Sequence, residues 1–203
     1  MKVVSIFEFD DMVKAIQNEE VIGFPTETVY GLGVVYDSEK AFEKLQIVKN
    51  RPPLKPFTLM CGDAETIKDV ALVTPAVQRV IDHFMPGALT LILPLKRDVR
   101  PWVTGQTDRI GVRISSHPFV LNLVRMVGKP LLVPSANKSG KPALIHYEDV
   151  ANEFKDDDVK YILNQDALGG LASTIVEIIG EPKVLREGAI PFEEVLKVYK
   201  GEE

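Results

Sequence analysis

The stretch Gly128–Ala143, GKPLLVPSANKSGKPA, gathers residue types suited to holding an anion. Leu131-Leu132-Val133 is a short apolar run bounded by Pro130 and Pro134, which predicts a buried strand with hard stops. Ser135, Ala136, Asn137, Lys138, Ser139, Gly140 and Lys141 follow. Ser and Asn offer donors, Gly lets a backbone approach closely, and Lys supplies charge. The plainer reading is a polar loop between a strand and a helix.

Three other stretches could do chemistry with it. Pro25-Thr26-Glu27-Thr28-Val29-Tyr30-Gly31-Leu32-Gly33 sets two threonines and a carboxylate before two glycines among strand-like neighbours. Glycine in a strand marks close approach of a ligand or another backbone, or a β-bulge. Lys49-Asn50-Arg51-Pro52-Pro53-Leu54-Lys55-Pro56 clusters cations in a proline-stiffened segment that suits an anion; a solvated helix end is the alternative. Arg109-Ile110-Gly111-Val112-Arg113-Ile114 alternates, which places Arg109, Gly111 and Arg113 on one strand face and asks for anionic partners or water. Two like charges on one face are expected to have an anion between or beside them, with an outward pairing of Arg109 to Asp108 or another surface carboxylate as the alternative.

These stretches must be positioned by elements that the periodicity predicts. Helices are expected over 8–19 (entered through Asp10 or Asp11), 39–48 (capped by Ser38), 63–70, 75–85, 118–127, 147–154 and 191–199. Strands are expected over 21–24, 57–61, 89–95, 109–114, 131–133, 161–163, 173–179 and 184–188, with a polar loop over 96–108 carrying Trp102. Strands and helices alternate without repeat or linker, so the fold class is α/β (α+β): one domain over 1–203, a twisted mixed parallel and antiparallel sheet flanked by helices.

Composition bounds the rest. With 203 residues, 45% hydrophobic and 26% charged, the chain can bury a full core without disulfide or metal. The single Cys61 excludes an internal disulfide and fits a reducing cytosol; its place after Phe57-Thr58-Leu59-Met60 suggests a structural thiol. A net charge of −5 argues against a uniformly basic nucleic-acid surface but leaves room for a local basic cavity. No apolar run reaches membrane-spanning length, so a cytoplasmic protein with no membrane partner is expected. His83, His117 and His146 are scattered without ligand spacing, and no protein-built metal site is expected.

Taken in order, Pro25–Gly33, Lys49–Arg51, Arg109–Ile114, Ser135–Asn137, Ser173-Thr174 and Arg186–Gly188 resemble the YrdC-like (TsaC type) threonylcarbamoyl-AMP synthase family over about residues 8–190. The K-x-R and S-x-N pair, here Lys49-Asn50-Arg51 and Ser135-Ala136-Asn137, carries most of the resemblance. Longer two-domain relatives have an added C-terminal domain, and none is expected here. The resemblance implies a YrdC-like fold and a nucleotidyltransferase: L-threonine, bicarbonate or carbon dioxide, and ATP give threonylcarbamoyl-AMP and pyrophosphate, for tRNA threonylcarbamoyladenosine modification with partner proteins. It implies threonine at Thr28, Met60, Arg113, Val133 and Ser173, and ATP at Lys49, Arg51, Lys55, Arg109, Ser135, Asn137, Ala143 and Arg186. Lys49, Arg51, Ser135 and Asn137 are the implied catalytic set, and Mg²⁺ would accompany ATP, held by phosphate oxygens and water. Arg109 replaces a small hydroxyl residue of many relatives, and Met60 a histidine of some. The run FTLMC is similar to the YciO-like branch. Two other functions remain open: double-stranded RNA or tRNA binding without chemistry, and a YciO-like protein acting on a related modified nucleotide. No DNA partner is expected.

Overall fold

The computed structural model describes residues 1–52, 56–96 and 99–202. The first half runs β1 (Lys2–Val4), α1 (Phe9–Gln17), β2 (Ile22–Phe24), β3 (Gly31–Val35), α2 (Glu39–Lys49), β4 (Leu59–Met60), α3 (Ala64–Val70), α4 (Pro75–Phe84) and β5 (Leu89–Pro94). The second half runs α5 (Pro101–Thr104), β6 (Arg109–Arg113), α6 (Pro118–Val127), β7 (Leu131–Leu132), α7 (Tyr147–Glu153), β8 (Tyr161–Leu163), β9 (Thr174–Glu177), β10 (Lys183–Arg186) and α8 (Phe192–Lys200). The strands form one sheet in the order β1-β8-β2-β3-β7-β4-β6-β5-β9-β10. β4 and β5 run parallel to β6 and β9 respectively, while β3 and β4 run antiparallel to β7 and β5 to β6. The sheet is therefore mixed and flanked by helices, as the alternation of elements predicts.

The helices follow their capping signals. Ser38 Oγ accepts from Ala41 N at 3.2 Å to start α2, and Thr74 with Pro75 starts α4. Entry into α1 differs from expectation. Ser5 and Glu8 form a capping box around a 3-10 turn at Ile6–Glu8, and α1 begins at Phe9, ahead of Asp10 and Asp11. The expected polar loop holds, within 99–108, the short α5, whose Trp102 donates its indole N–H to the Tyr36 carbonyl at 3.2 Å.

Gly33 answers the question posed by its stretch. A Cβ there would stand 2.5 Å from the Phe24 ring, so a packed side chain, rather than a ligand, requires the glycine. Register then sets a row of side chains. Met60 pairs with Arg113, Thr90 with Ile175, and Ile175 with Arg186, all on one face. Leu59, Leu91, Val112 and Val176 turn the other way into the core.

Candidate active site

A cavity of about 530 Å³ opens over this row. Its walls come from the turn before β3, the end of α2, the loop after β7, and β4, β5, β6, β9 and β10. Thr28, Lys49, Arg51, Met60, Arg113, Val133, Ser135, Asn137, Ala143, Ser173 and Arg186 all line it. Residues separated by more than 150 positions thus meet at one place, as their common chemistry suggests. Lys55 lies outside the described residues.

The two lysines of the loop after β7 are placed differently. Lys138 Nζ lies 2.6 and 2.7 Å from the two Asp157 carboxylate oxygens, and donates to the Val48 carbonyl. It also sits 5.1 Å from the centre of the Phe154 ring. Lys141 Nζ pairs with Glu153 at 2.8 and 2.9 Å. The Lys138–Asp157 pair anchors the loop to the segment around α7, away from the cavity, whereas Lys141 pairs with Glu153 and also lines the cavity.

Lys49 also ties this loop down. It is 1% exposed, and its ammonium donates to the carbonyls of Ser135 and Asn137, the second at 2.6 Å. Within the loop, the Ser135 hydroxyl donates to Asn137 Oδ1 at 2.6 Å, and Asn137 Nδ2 donates to the Lys138 and Lys141 carbonyls. The K-x-R and S-x-N elements are therefore one construction, with the lysine at its centre. Arg51 donates to the Pro56 carbonyl at 2.6 Å and stacks over Phe57 at 4.4 Å. Burial lowers its pKa to about 10, which leaves it charged at neutral pH.

Across the cavity stand two further guanidiniums. Arg186 donates to the Ser173 carbonyl at 2.8 and 3.0 Å and to its hydroxyl at 3.1 Å, and has no carboxylate partner among the described residues. Desolvation, and then the charge of Arg113, lower its pKa. Arg113 is buried and is held on three sides: Nε to the Gly87 carbonyl at 3.2 Å, and Nη2 to Glu27 Oε1 at 2.8 Å and Thr28 Oγ1 at 3.2 Å. Glu27 also accepts from the Ser115 hydroxyl and from Ser116 N at 3.1 Å. Burial pushes the Glu27 carboxyl up, but the Arg113 charge and the Ser115 and Arg113 hydrogen bonds outweigh it and hold the group below its ordinary value.

Arg109 requires a correction. It shares Arg113's strand face, but the cavity does not reach it. The two are four residues apart, about 13 Å along a strand. Arg109 instead pairs with Glu177 at 2.7 Å and Asp108 at 3.3 Å at the far end of β6. Each arginine already has its own carboxylate, so no shared anion is needed between them.

Several residues in or behind the cavity wall carried no assignment in the sequence. Thr90 is the one polar side chain in Leu89–Pro94, and that interruption of an apolar run was its signal. Its hydroxyl lies 3.0 Å from Ser173 Oγ. Glu27 was visible as a carboxylate beside two threonines, but its partners lie 86 to 89 positions away. Gly188 lets β10 return against this wall: a Cβ there would stand 2.1 Å from the Ala172 carbonyl oxygen. Cys61 lines no part of the cavity; burial and then the Asp63 charge raise its thiol pKa, and it has no nucleophilic role. Among the described residues no group of three or more His, Cys, Asp or Glu could hold a metal ion, and no helix is long and apolar enough to cross a membrane.

A mixed α/β sheet carrying a polar cavity lined by Arg51, Arg113 and Arg186 has the residue types that suit a small anion. Residues 14–188 match the family model of Sua5, YciO and YrdC proteins, described as telomere recombination, and the chain belongs to that family. It is 36% identical over 184 residues to the threonylcarbamoyl-AMP synthase of Bacillus subtilis, covering 89% of this chain and 53% of that protein. It is 34% identical over 183 residues to the threonylcarbamoyl-AMP synthase of Vibrio parahaemolyticus, covering 89% of this chain and 98% of that one. The chain thus spans about half the length of the first relative and nearly all of the second. Among solved structures, Pyrococcus abyssi Sua5 complexed with L-threonine superposes with a TM-score of 0.91 at 30% identity, over 98% of this chain and 61% of that one. Escherichia coli YciO superposes with a TM-score of 0.84 at 26% identity, over 93% of this chain and 92% of that one.

Proposed function

We propose that this chain is an L-threonylcarbamoyladenylate synthase, a nucleotidyltransferase that serves threonylcarbamoyladenosine formation in tRNA. The observation that carries this reading is the convergence of Arg113 and Arg186 on one cavity whose opposite rim is the Lys49-braced Ser135–Asn137 loop with Arg51. Two unlike anions have to be held there: an amino-acid carboxylate and a nucleotide triphosphate. The synthase names of the relatives and the L-threonine bound by Pyrococcus abyssi Sua5 support the same assignment.

In this reading threonine sits over Thr28, Met60, Val133 and Ser173, with its carboxylate on Arg113. Its amine and bicarbonate give a carbamate and water. A carbamate oxygen attacks the α-phosphorus of ATP, the bond from that phosphorus to the bridging oxygen breaks, and pyrophosphate leaves with the bond's electron pair. Arg51, Arg186 and the Ser135–Ala143 loop face the charge on the phosphates, and the chemistry calls for no side-chain nucleophile. Mg²⁺ would arrive with the nucleotide, held by phosphate oxygens and water.

The test is incubation with ATP, L-threonine, bicarbonate and Mg²⁺, followed by mass detection of threonylcarbamoyl-AMP. Pyrophosphate release is expected to require both L-threonine and bicarbonate. Release indifferent to threonine, or none at all, counts against the synthase. RNA retention with a steep salt dependence and no ATP requirement would favour RNA binding instead.

A further inference from the structure

Thr26 and Glu27 do not themselves line the cavity, yet Thr26 is buried, the Glu27 side chain is only 10% exposed, and each holds a group that does line it. Protons can be assigned here from chemistry alone. Thr26 Oγ1 stands 2.7 Å from the Val29 carbonyl, which can only accept, so the Thr26 hydroxyl proton is committed there. Thr26 Oγ1 also accepts from Thr28 N at 3.1 Å. In the 3.0 Å contact between Thr26 Oγ1 and Thr28 Oγ1 the proton must then come from Thr28. Thr28 Oγ1 accepts from Arg113 Nη2 at 3.2 Å, which leaves it one lone pair and no proton for a ligand.

Arg113 is polarised in the opposite sense. Nε is used by Gly87 and Nη2 by Glu27 and Thr28, so Nη1 is the end left without a partner among the described residues, and it can only donate. We infer that Thr26 and Glu27 are positioning residues that give the amino-acid end of the cavity a fixed polarity, with Thr28 as acceptor for a ligand N–H or O–H and Arg113 Nη1 as donor to a ligand carboxylate.

The inference rests on the synthase reading and adds to it two residues that touch no substrate. A neutral zwitterionic hydroxy amino acid matches such a pair of ends. A second carboxylate directed at Thr28 would meet a lone pair and be rejected.

The experiment measures binding of L-threonine and of ATP separately by calorimetry, on folded wild type, Thr26→Val, Thr26→Ser and Glu27→Gln. Thr26→Val keeps shape and removes the hydroxyl. L-threonine affinity is expected to fall roughly tenfold or more in Thr26→Val and Glu27→Gln, to return to within about threefold of wild type in Thr26→Ser, and ATP affinity to change less than about twofold in all three. A merely structural role would weaken both ligands together and would not be rescued by serine. If Glu27→Gln does not fold, the valine and serine pair decides alone. Wild-type affinity for L-threonine in Thr26→Val, or equal losses for threonine and ATP, overturns the inference. A folded wild type that binds no L-threonine overturns the synthase reading beneath it.

Discussion

Lys49 Nζ lies 2.6 Å from the carbonyl oxygen of Asn137, 88 positions further along the chain. The contact makes a cation of the cavity wall the brace of the loop at its rim. Lys49→Met keeps the aliphatic stem but leaves the carbonyls of Ser135 and Asn137 short of a donor. A loss of about 2–4 kcal/mol is expected for the unsatisfied groups, together with weaker ATP binding. Thermal unfolding and nucleotide titration on the same variant check both; an unshifted melting temperature would show that the brace is dispensable.

Arg51 sits at the cavity with its guanidinium over Phe57 and bonded to the Pro56 carbonyl. A hydrogen bond to a charged group is worth roughly 1.5–3 kcal/mol, so Arg51→Ala is expected to lower pyrophosphate release by about one to two orders of magnitude. Arg51→Lys should recover little, because a lysine has no planar fork. Steady-state pyrophosphate assays on both variants decide; wild-type turnover in the alanine variant removes this segment from the site.

Arg109→Thr provides the contrasting case. Its partner Glu177 stands 2.7 Å away at the far end of β6, and the Arg109 side chain is 43% exposed. Such a pair contributes at most about 1 kcal/mol. Stability should change by no more than that, with ATP affinity the same at low and high salt. A fall in ATP affinity that weakens with salt would return Arg109 to the site.

The Glu27 carboxyl titrates below its ordinary value, 4.5, in the folded chain. The unfolded state therefore binds the proton more readily, and stability rises with pH across this range. Glu27's contribution is fully present above the ordinary carboxylate value and is lost as pH falls through the lower folded value. The gap in melting temperature between wild type and Glu27→Gln should therefore be wide at pH 7 and close on acidification below about 4.5. A gap constant from pH 7 to pH 3 would mean that the ionised carboxylate contributes nothing.

What could be read from the sequence follows the range of the forces involved. α4 and α6 declare themselves locally, through Thr74-Pro75 at one start and Gly128 at one end. The apolar runs of β5 and β6 are local signals too. β1 is not: it has three residues, of which only Val4 is buried, so no alternation marks it. α5 is four residues long and lies in a polar segment. The site was legible as residue types, since nearly every residue expected there lines one cavity. Who neutralises whom was not. Lys138 looks like a ligand for an anion until Asp157 arrives from elsewhere in the chain. Arg109 and Arg113 look alike until Glu177 and Glu27 separate them. Ion pairing depends on tertiary proximity, which strand periodicity does not encode.

β10 stands at the margin of the sheet with β9 as its one neighbour; all four of its residues are exposed, and its register shifts between Val184 and Arg186. A marginal strand opens at lower free energy than a central one. The cavity therefore has walls of unequal stiffness: firm under Thr28, Met60 and Arg113, compliant under Arg186. A ligand bridging the two sides would transfer rigidity outward from the centre of the sheet to its rim. Slowed amide exchange at Val184–Arg186 is where occupancy of the cavity would register first.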